Sequence, residues 1–239
     1  MVDLPDLVGH PAYPTTMERL VVSNGGTVLD AARAALARDD AYEAVVWSPR
    51  LLAPLIPTSL RSADALEAAR PVVGPGEVVP WPPEAAWLQA RPKIAAVLRR
   101  PVEDPLARDD VPGWVFGYTL VGDFLAYADT GDPEPVAAGS PIALGPWVVT
   151  PDELDPQTAY VTVRVDGTEW AKGNLNGTAR ALLADVAAAS REERLSAGEA
   201  FASGPFELER FDQRLWPCAE VEIEAEGLGL LHARLGAHP

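Results

Sequence analysis

Proline sets the grain of this chain. It fills 24 of 239 positions, about double its usual share. Each proline fixes φ and removes a backbone donor. A chain interrupted this often builds many short elements joined by stiff turns, and few long helices. Residues 71–86 are dense in proline and glycine and read as an extended, stiffened connection outside the core.

Apolar residues make up 48% of the chain and charged residues 23%, enough to bury a real core. Before the proline-rich stretch, residues 18–22 read as a strand, Leu29–Leu36 as an amphipathic helix and Tyr42–Trp47 as a second strand. Together they make a small N-terminal α/β unit over residues 1–50. A helix over residues 62–70 follows. From about residue 91 the pattern turns to strands, at 93–98, 114–129 and 143–150. Residues 159–171 alternate, with Val161, Val163 and Val165 on one face and Thr162 and Arg164 on the other. Asp166-Gly167 interrupts them as a type I′ hairpin signal. A helix over 178–190 and two strands within 219–235 complete the chain. Glu220, Glu222, Glu224 and Glu226 alternate with apolar residues and read as the wet face of one strand.

Charge narrows the functions. Thirty-five acids against 19 Lys plus Arg leave a formal charge of −16. That balance excludes duplex nucleic acid as a partner, because such affinity rests on cationic contacts to phosphate. It equally excludes an anionic membrane surface. One cysteine, Cys218, cannot form an internal disulfide or a Cys-rich zinc site. Of three histidines, His232 and His238 lie near the C-terminus and His10 lies among prolines. A His-driven triad and a multi-His metal site are therefore disfavoured. No stretch approaches the ~20 apolar residues of a membrane span. The N-terminus lacks the basic start of a signal peptide, so a cytoplasmic protein is expected. Nothing here forms a phosphate-binding glycine loop.

Several strings, in order, resemble the fumarylacetoacetate hydrolase family. They are LLAPLIPTSLRSADALEAA (51–69), FGYTLVGDF (116–124), LGPWVVTPDEL (144–154), VRVDGTEWAKGN (163–174), FASGPFELE (201–209) and VEIEAEGLGLL (221–231). The resemblance implies an α+β fold: a mixed β-sandwich roll with peripheral helices over residues 51–239, after the small N-terminal unit. It also implies a small-molecule substrate and a homodimer. Typical members hydrolyse a C–C bond in a β-diketone acid, and relatives isomerise, hydrate or decarboxylate 2-oxo acids. The usual site holds Mg²⁺ or Ca²⁺ on carboxylates beside a His–Glu pair.

Carried over residue by residue, the match is incomplete. Asp123 corresponds to a metal-binding Asp. The family's E-x-E pair falls on Arg91 and Lys93, two cations where two carboxylates are expected. Residues two apart on a strand share a face, so both point toward Asp123. Either one of them forms an ion pair with Asp123 in place of a metal, or they face solvent. Ala69 stands at the catalytic His and Ser62 at an acid, while Arg61 and Glu67 persist. Glu67 is a proton-transfer candidate if buried, and a helix-surface residue otherwise. Tyr127 replaces an Arg, and the usual Lys falls near Val136. Ser140 stands for a Thr. Ser203 and Gly204 keep part of an S-G-T loop that holds an oxyanion or makes a plain turn. Trp147 and Trp170 lie on matched motifs, as packing or as pocket walls.

The expected function is an enzyme acting without metal or other cofactor on an enolisable, β-dicarbonyl or carboxylated small molecule. Cyclisation, isomerisation and dehydration are the reaction types. Arg91 and Lys93 would bind a carboxylate or an enolate, and Asp123, Glu67 or Tyr127 would move a proton. Two alternatives stand beside it. One is a C–C hydrolase whose Mg²⁺ ligands have moved to acids such as Glu84 or Glu103. The other is a non-catalytic protein that keeps the fold for binding or assembly.

Overall fold

The structure is a computed structural model that describes residues 1–23, 26–62, 71–129, 141–206 and 214–239. The chain starts with three helices, α1 (Leu4–Val8), α2 (Met17–Val22) and α3 (Gly26–Leu36). The strand expected at 18–22 is therefore a helix. Thr16 caps it by accepting from the Arg19 N–H, a favoured N-cap arrangement. Helical spacing sets Leu20 and Val21 into the core. The strand expected at 42–47 is a 3₁₀ turn over Ala41–Ala44 with one isolated bridge, Val45 to Val2. Trp47 is 85% exposed and Tyr42 71%, so this apolar run has no buried face on which to lie as a strand.

Two sheets follow. The first runs β1 (Leu60–Ser62), β9 (Ala200–Ala202), β4 (Trp87–Leu98), β5 (Val115–Tyr127), β6 (Ile142–Val149) and β2 (Val72–Val73), with β10 (Arg214–Leu215) also pairing β4. The second runs β3 (Val78–Val79), β12 (Gly229–Leu235), β11 (Glu220–Ala225), β7 (Tyr160–Val165) and β8 (Thr168–Asn174). The main core lies between them, closed at one side by α4 (Asn176–Glu192). Leu88, Ile94, Ala96 and Leu98 of β4 meet Val161, Val165, Val221 and Ile223 there. The opposite face of the first sheet carries a second core. In it, Tyr13, Leu20, Val21 and Ala32 from the helical end pack on Ala95, Val97, Phe116 and Val121.

The proline-rich connection does enter the core. Its two short strands add one to each sheet, Val79 is fully buried, and Trp81 is 5% exposed. The indole of Trp81 donates to the Ala85 carbonyl at 2.9 Å. Prolines there stiffen the path between sheets without taking the apolar residues out of it. The helix expected over 62–70 meets the end of β1 at Ser62, and residues 63–70 lie outside the described residues. No helix among the described residues is long and apolar enough to cross a membrane.

The hairpin between β7 and β8 follows its sequence signal. Asp166 (φ 46°) and Gly167 (φ 74°) both adopt left-handed backbone, as a type I′ turn requires. The Asp166 carboxylate accepts from the Glu220 N–H at 2.8 Å and the Trp216 indole at 3.1 Å, tying the turn to β11. Among the outward glutamates of β11, Glu224 pairs with Arg164 at 2.8 Å.

Two predictions follow from this packing. Gly229 has φ 84°, and an added Cβ would lie 2.5 Å from the Trp147 ring. Gly229→Ala should therefore cost about 1–3 kcal/mol, read as a lower denaturant midpoint. Burial, reinforced by Asp155, pushes the Tyr118 phenol up to about 12. Because its folded pKa lies above the unfolded one, its contribution is full below pH ~10 and is lost as pH rises toward 12. Tyr118→Phe should remove that part of the alkaline loss of stability in denaturant titrations.

Candidate active site

Alternation along β4 divides its side chains. Trp87, Gln89, Arg91 and Lys93 share one face with Ala95 and Val97, while Leu88, Ala90, Ile94, Ala96 and Leu98 face the inter-sheet core. β5 runs antiparallel beside it, with Arg91 opposite Asp123, Lys93 opposite Val121 and Trp87 opposite Tyr127. The polar part of this face is therefore a register effect. The same face is apolar under the helices and turns charged beyond them.

Lys93 reaches diagonally to Asp123, with Nζ 2.9 Å from Oδ2. The same ammonium donates to Ser62 Oγ at 2.8 Å. Lys93 is 2% exposed and Asp123 3%, so each charge has lost its water and is compensated in part by the other. Ser62 arrives through the sheet. It pairs with Ala202 on β9, and Ala202 pairs with Ala95 on β4. Arg91 is half-buried directly across from Asp123.

Tyr127 lies on the same face. Burial raises its phenol pKa, Arg91 opposes that shift, and Asp123 adds to it. The phenol is thus a neutral donor at ordinary pH, and its hydroxyl donates to Gln89 Oε1 at 3.1 Å. Its ring stacks on Trp87, with centroids 4.0 Å apart and planes 6° from parallel. The Arg214 guanidinium lies over Trp87 at 5.0 Å.

Of the expected site residues, the structure brings together Arg91, Lys93, Asp123 and Tyr127. Arg61 turns to the opposite face, where it pairs with Glu193 and, at 3.4 Å, with Glu199, over the Phe201 ring. Its neighbour in β1, Ser62, takes the position on the Lys93 face instead. Ser203 is not available as an oxyanion donor. Its N–H donates to the Ile94 carbonyl; its hydroxyl donates to the Gly204 carbonyl and accepts from the Ile94 N–H. Ser203 and Gly204 therefore close the edge of the sheet, continuing the β9–β4 pairing. Trp147 packs against Gly229 and is 41% exposed. Trp170 is buried in the inter-sheet core beside Trp216. Neither tryptophan lines the Lys93–Asp123 face. Glu67 and Ser140, like Ala69 and Val136, lie outside the described residues.

Three neighbours went unassigned at the sequence level. Period two back from Lys93 and Arg91 leads to Gln89 and Trp87, so those two were within reach of the pattern. Arg214 comes from a distant two-residue strand and had no such signal.

A divalent cation needs several oxygen donors at short range. Here the Asp123 carboxylate is held by an ammonium. Among the described residues, no three His, Cys, Asp or Glu side chains form a possible metal group. Glu84 and Glu103 are both exposed. The residues described do not fit the metal site that the family resemblance implies.

The model of the fumarylacetoacetate (FAA) hydrolase C-terminal domain matches residues 64–236, and the chain belongs to that family. No curated protein matches the sequence. Among solved structures, maleylpyruvate hydrolase from Sphingobium sp. SYK-6 is 20% identical with a TM-score of 0.76, over 99% of this chain and 92% of that one. Another structure of that hydrolase, in complex with manganese(II) and pyruvate, is 21% identical with a TM-score of 0.73, over 100% of this chain and 93% of that one. The 5-carboxymethyl-2-hydroxymuconate delta-isomerase of Mycobacterium smegmatis is 22% identical with a TM-score of 0.65, over 79% of this chain and 80% of that one. These likenesses show the α+β fold that the motifs imply.

Removing one partner of the buried pair should be severe. Lys93→Met takes the ammonium from the buried Asp123 carboxylate and should cost about 3–5 kcal/mol, whereas Lys93→Met combined with Asp123→Leu should recover most of it. Denaturant melts of the two single variants and the double variant measure the coupling.

Proposed function

We propose that the chain is a small-molecule enzyme of this family that works without a bound divalent ion. Its substrate is an enolisable β-dicarbonyl or carboxylated compound, and its chemistry is isomerisation, cyclisation or dehydration. The observation that carries this reading is the Lys93 ammonium on the Asp123 carboxylate, 2.9 Å apart, with Arg91 opposite. Two cations on one face suit a substrate carboxylate or the negative oxygen of an enolate. Asp123 is the candidate proton acceptor from a carbon beside the carbonyl, with Lys93 and Arg91 balancing the charge that develops. In an isomerisation the proton returns to another carbon of the same conjugated system, so the atom count is unchanged. Tyr127, neutral and hydrogen-bonded, is the candidate donor for that return, and its phenolate then recovers the proton held on Asp123, so both groups end as they began. Solved relatives named as an isomerase and as a hydrolase support an enzyme in general terms. A homodimer in the cytoplasm is part of the same proposal.

A second reading rests on the burial of Lys93 and Asp123. A pair this closed can serve as a structural plug that replaces the family's metal, in a protein that keeps the fold for binding or assembly.

Proton NMR in deuterated water separates these readings, using a panel of 2-oxo and β-dicarbonyl acids with and without a chelator. The proposal expects exchange or product formation that a chelator leaves unchanged. Asp123→Asn, shown to be folded by circular dichroism, should slow it roughly 100-fold or more. Turnover that appears only with added Mg²⁺ or Mn²⁺ would return the metal-dependent hydrolase. Absence of turnover across the panel would favour the structural plug.

A further inference from the structure

The far end of β4 carries a second concentration of positive charge. Arg99 and Arg100 follow Leu98 directly. Together with Val22, Pro101 and Glu103 they line an open cleft of about 420 Å³. A second cleft of about 280 Å³ also includes Arg99, with Arg33, Phe116 and Pro151 among its other walls. Neither is lined by Lys93 or Asp123. Arg99 lies six positions beyond Lys93, about 20 Å of extended strand, so these clefts are distinct from the candidate active site.

Several cations of the chain are neutralised in ion pairs. Acids outnumber Lys plus Arg by 35 to 19. Arg33, Arg38, Arg50, Arg61, Arg108 and Arg164 each hold a carboxylate. Among the described residues, Arg99 and Arg100 hold none, and Arg100 Nε is buried without a hydrogen-bond partner. The Arg100 guanidinium lies 3.8 Å above the Trp114 ring, while the Arg99 N–H donates to the Trp114 carbonyl at 2.9 Å. One residue thus fixes both the backbone and the planar head group of the pair. Stacking satisfies the face of a guanidinium and leaves its edge N–H groups for an anion. Adjacent arginines held without carboxylates in so acidic a chain repel each other, and an anion between them relieves that repulsion.

We propose that Arg99 and Arg100 form a binding site for a small anion, a carboxylate or phosphate group on a soluble compound. Trp114 holds Arg100 in place, and Glu103 at the cleft wall favours a ligand that also carries a hydroxyl or amine. This site does not depend on the function assigned to Lys93 and Asp123.

Calorimetric titration of the full chain with inorganic phosphate and, separately, with malonate tests it. Saturable binding of either probe is expected, and the tighter one names the anion class. Arg99→Gln should weaken it at least tenfold, as should Arg100→Gln. Arg99 makes no ring contact, so its variant keeps the test valid if loss of the Trp114 stack unfolds the other. Arg164→Gln, on β7 and away from both clefts, should bind as the unaltered chain does. Binding that survives both arginine substitutions, binding lost in Arg164→Gln, or no saturable binding of either probe would each overturn the proposal.

Discussion

A carboxylate inside a sheet must be neutralised, and the organisation of this molecule's polar face follows from how that is done. Asp123 lies midway along the strand pair that joins both cores. Its water is gone, so a cation must sit within hydrogen-bond distance or the charge becomes prohibitive. Lys93 meets that need from the neighbouring strand, one pair further along, and Ser62 takes another of its three protons. An ammonium also differs from a divalent ion in what it asks of its surroundings. One carboxylate and a hydroxyl suffice for it, whereas a metal would need several more oxygens. Among the described residues, Asp123 stands in no cluster of three possible metal ligands, which suits an ammonium partner.

Much of the fold was legible because its signals are local. The Asp166-Gly167 turn needs only two residues able to adopt left-handed backbone, and alternation in β7 and β11 needs only a wet face and a dry one. The N-terminal end was misread for the opposite reason. Met17–Val22 is short and apolar, and such a run has no period long enough to separate helix from strand. The Thr16 cap decides it, together with the sheet face on which Leu20 and Val21 land. Tyr42–Trp47 has strand-forming residues and no strand beside it, and pairing partners are not written in a segment's own sequence.

The site divides along the same line. Arg91, Lys93 and Asp123 could be placed together because two residues apart on a strand means one face, and because a matched motif fixed Asp123. Arg61 and Ser62 show where that logic stops. They are adjacent, so they point to opposite sides of β1, and only the parallel register with β9 determines which one reaches Lys93. Of the two readings of Ser203, oxyanion donor and plain turn, its hydrogen bonds favour the turn for a related reason: the edge of β4 uses both its amide and its hydroxyl.

The alternation of β4 also bears on how such a chain can diverge. Its even-numbered side chains belong to the sandwich, and its odd-numbered ones belong to the outer face. A substitution at 91 or 93 therefore alters chemistry without touching the contacts that hold the sheets together, and one at 94 or 96 does the reverse. The strand works as a partition between two separately editable surfaces. A family fold can lose an entire set of ligands on one side of such a partition and leave the other side intact.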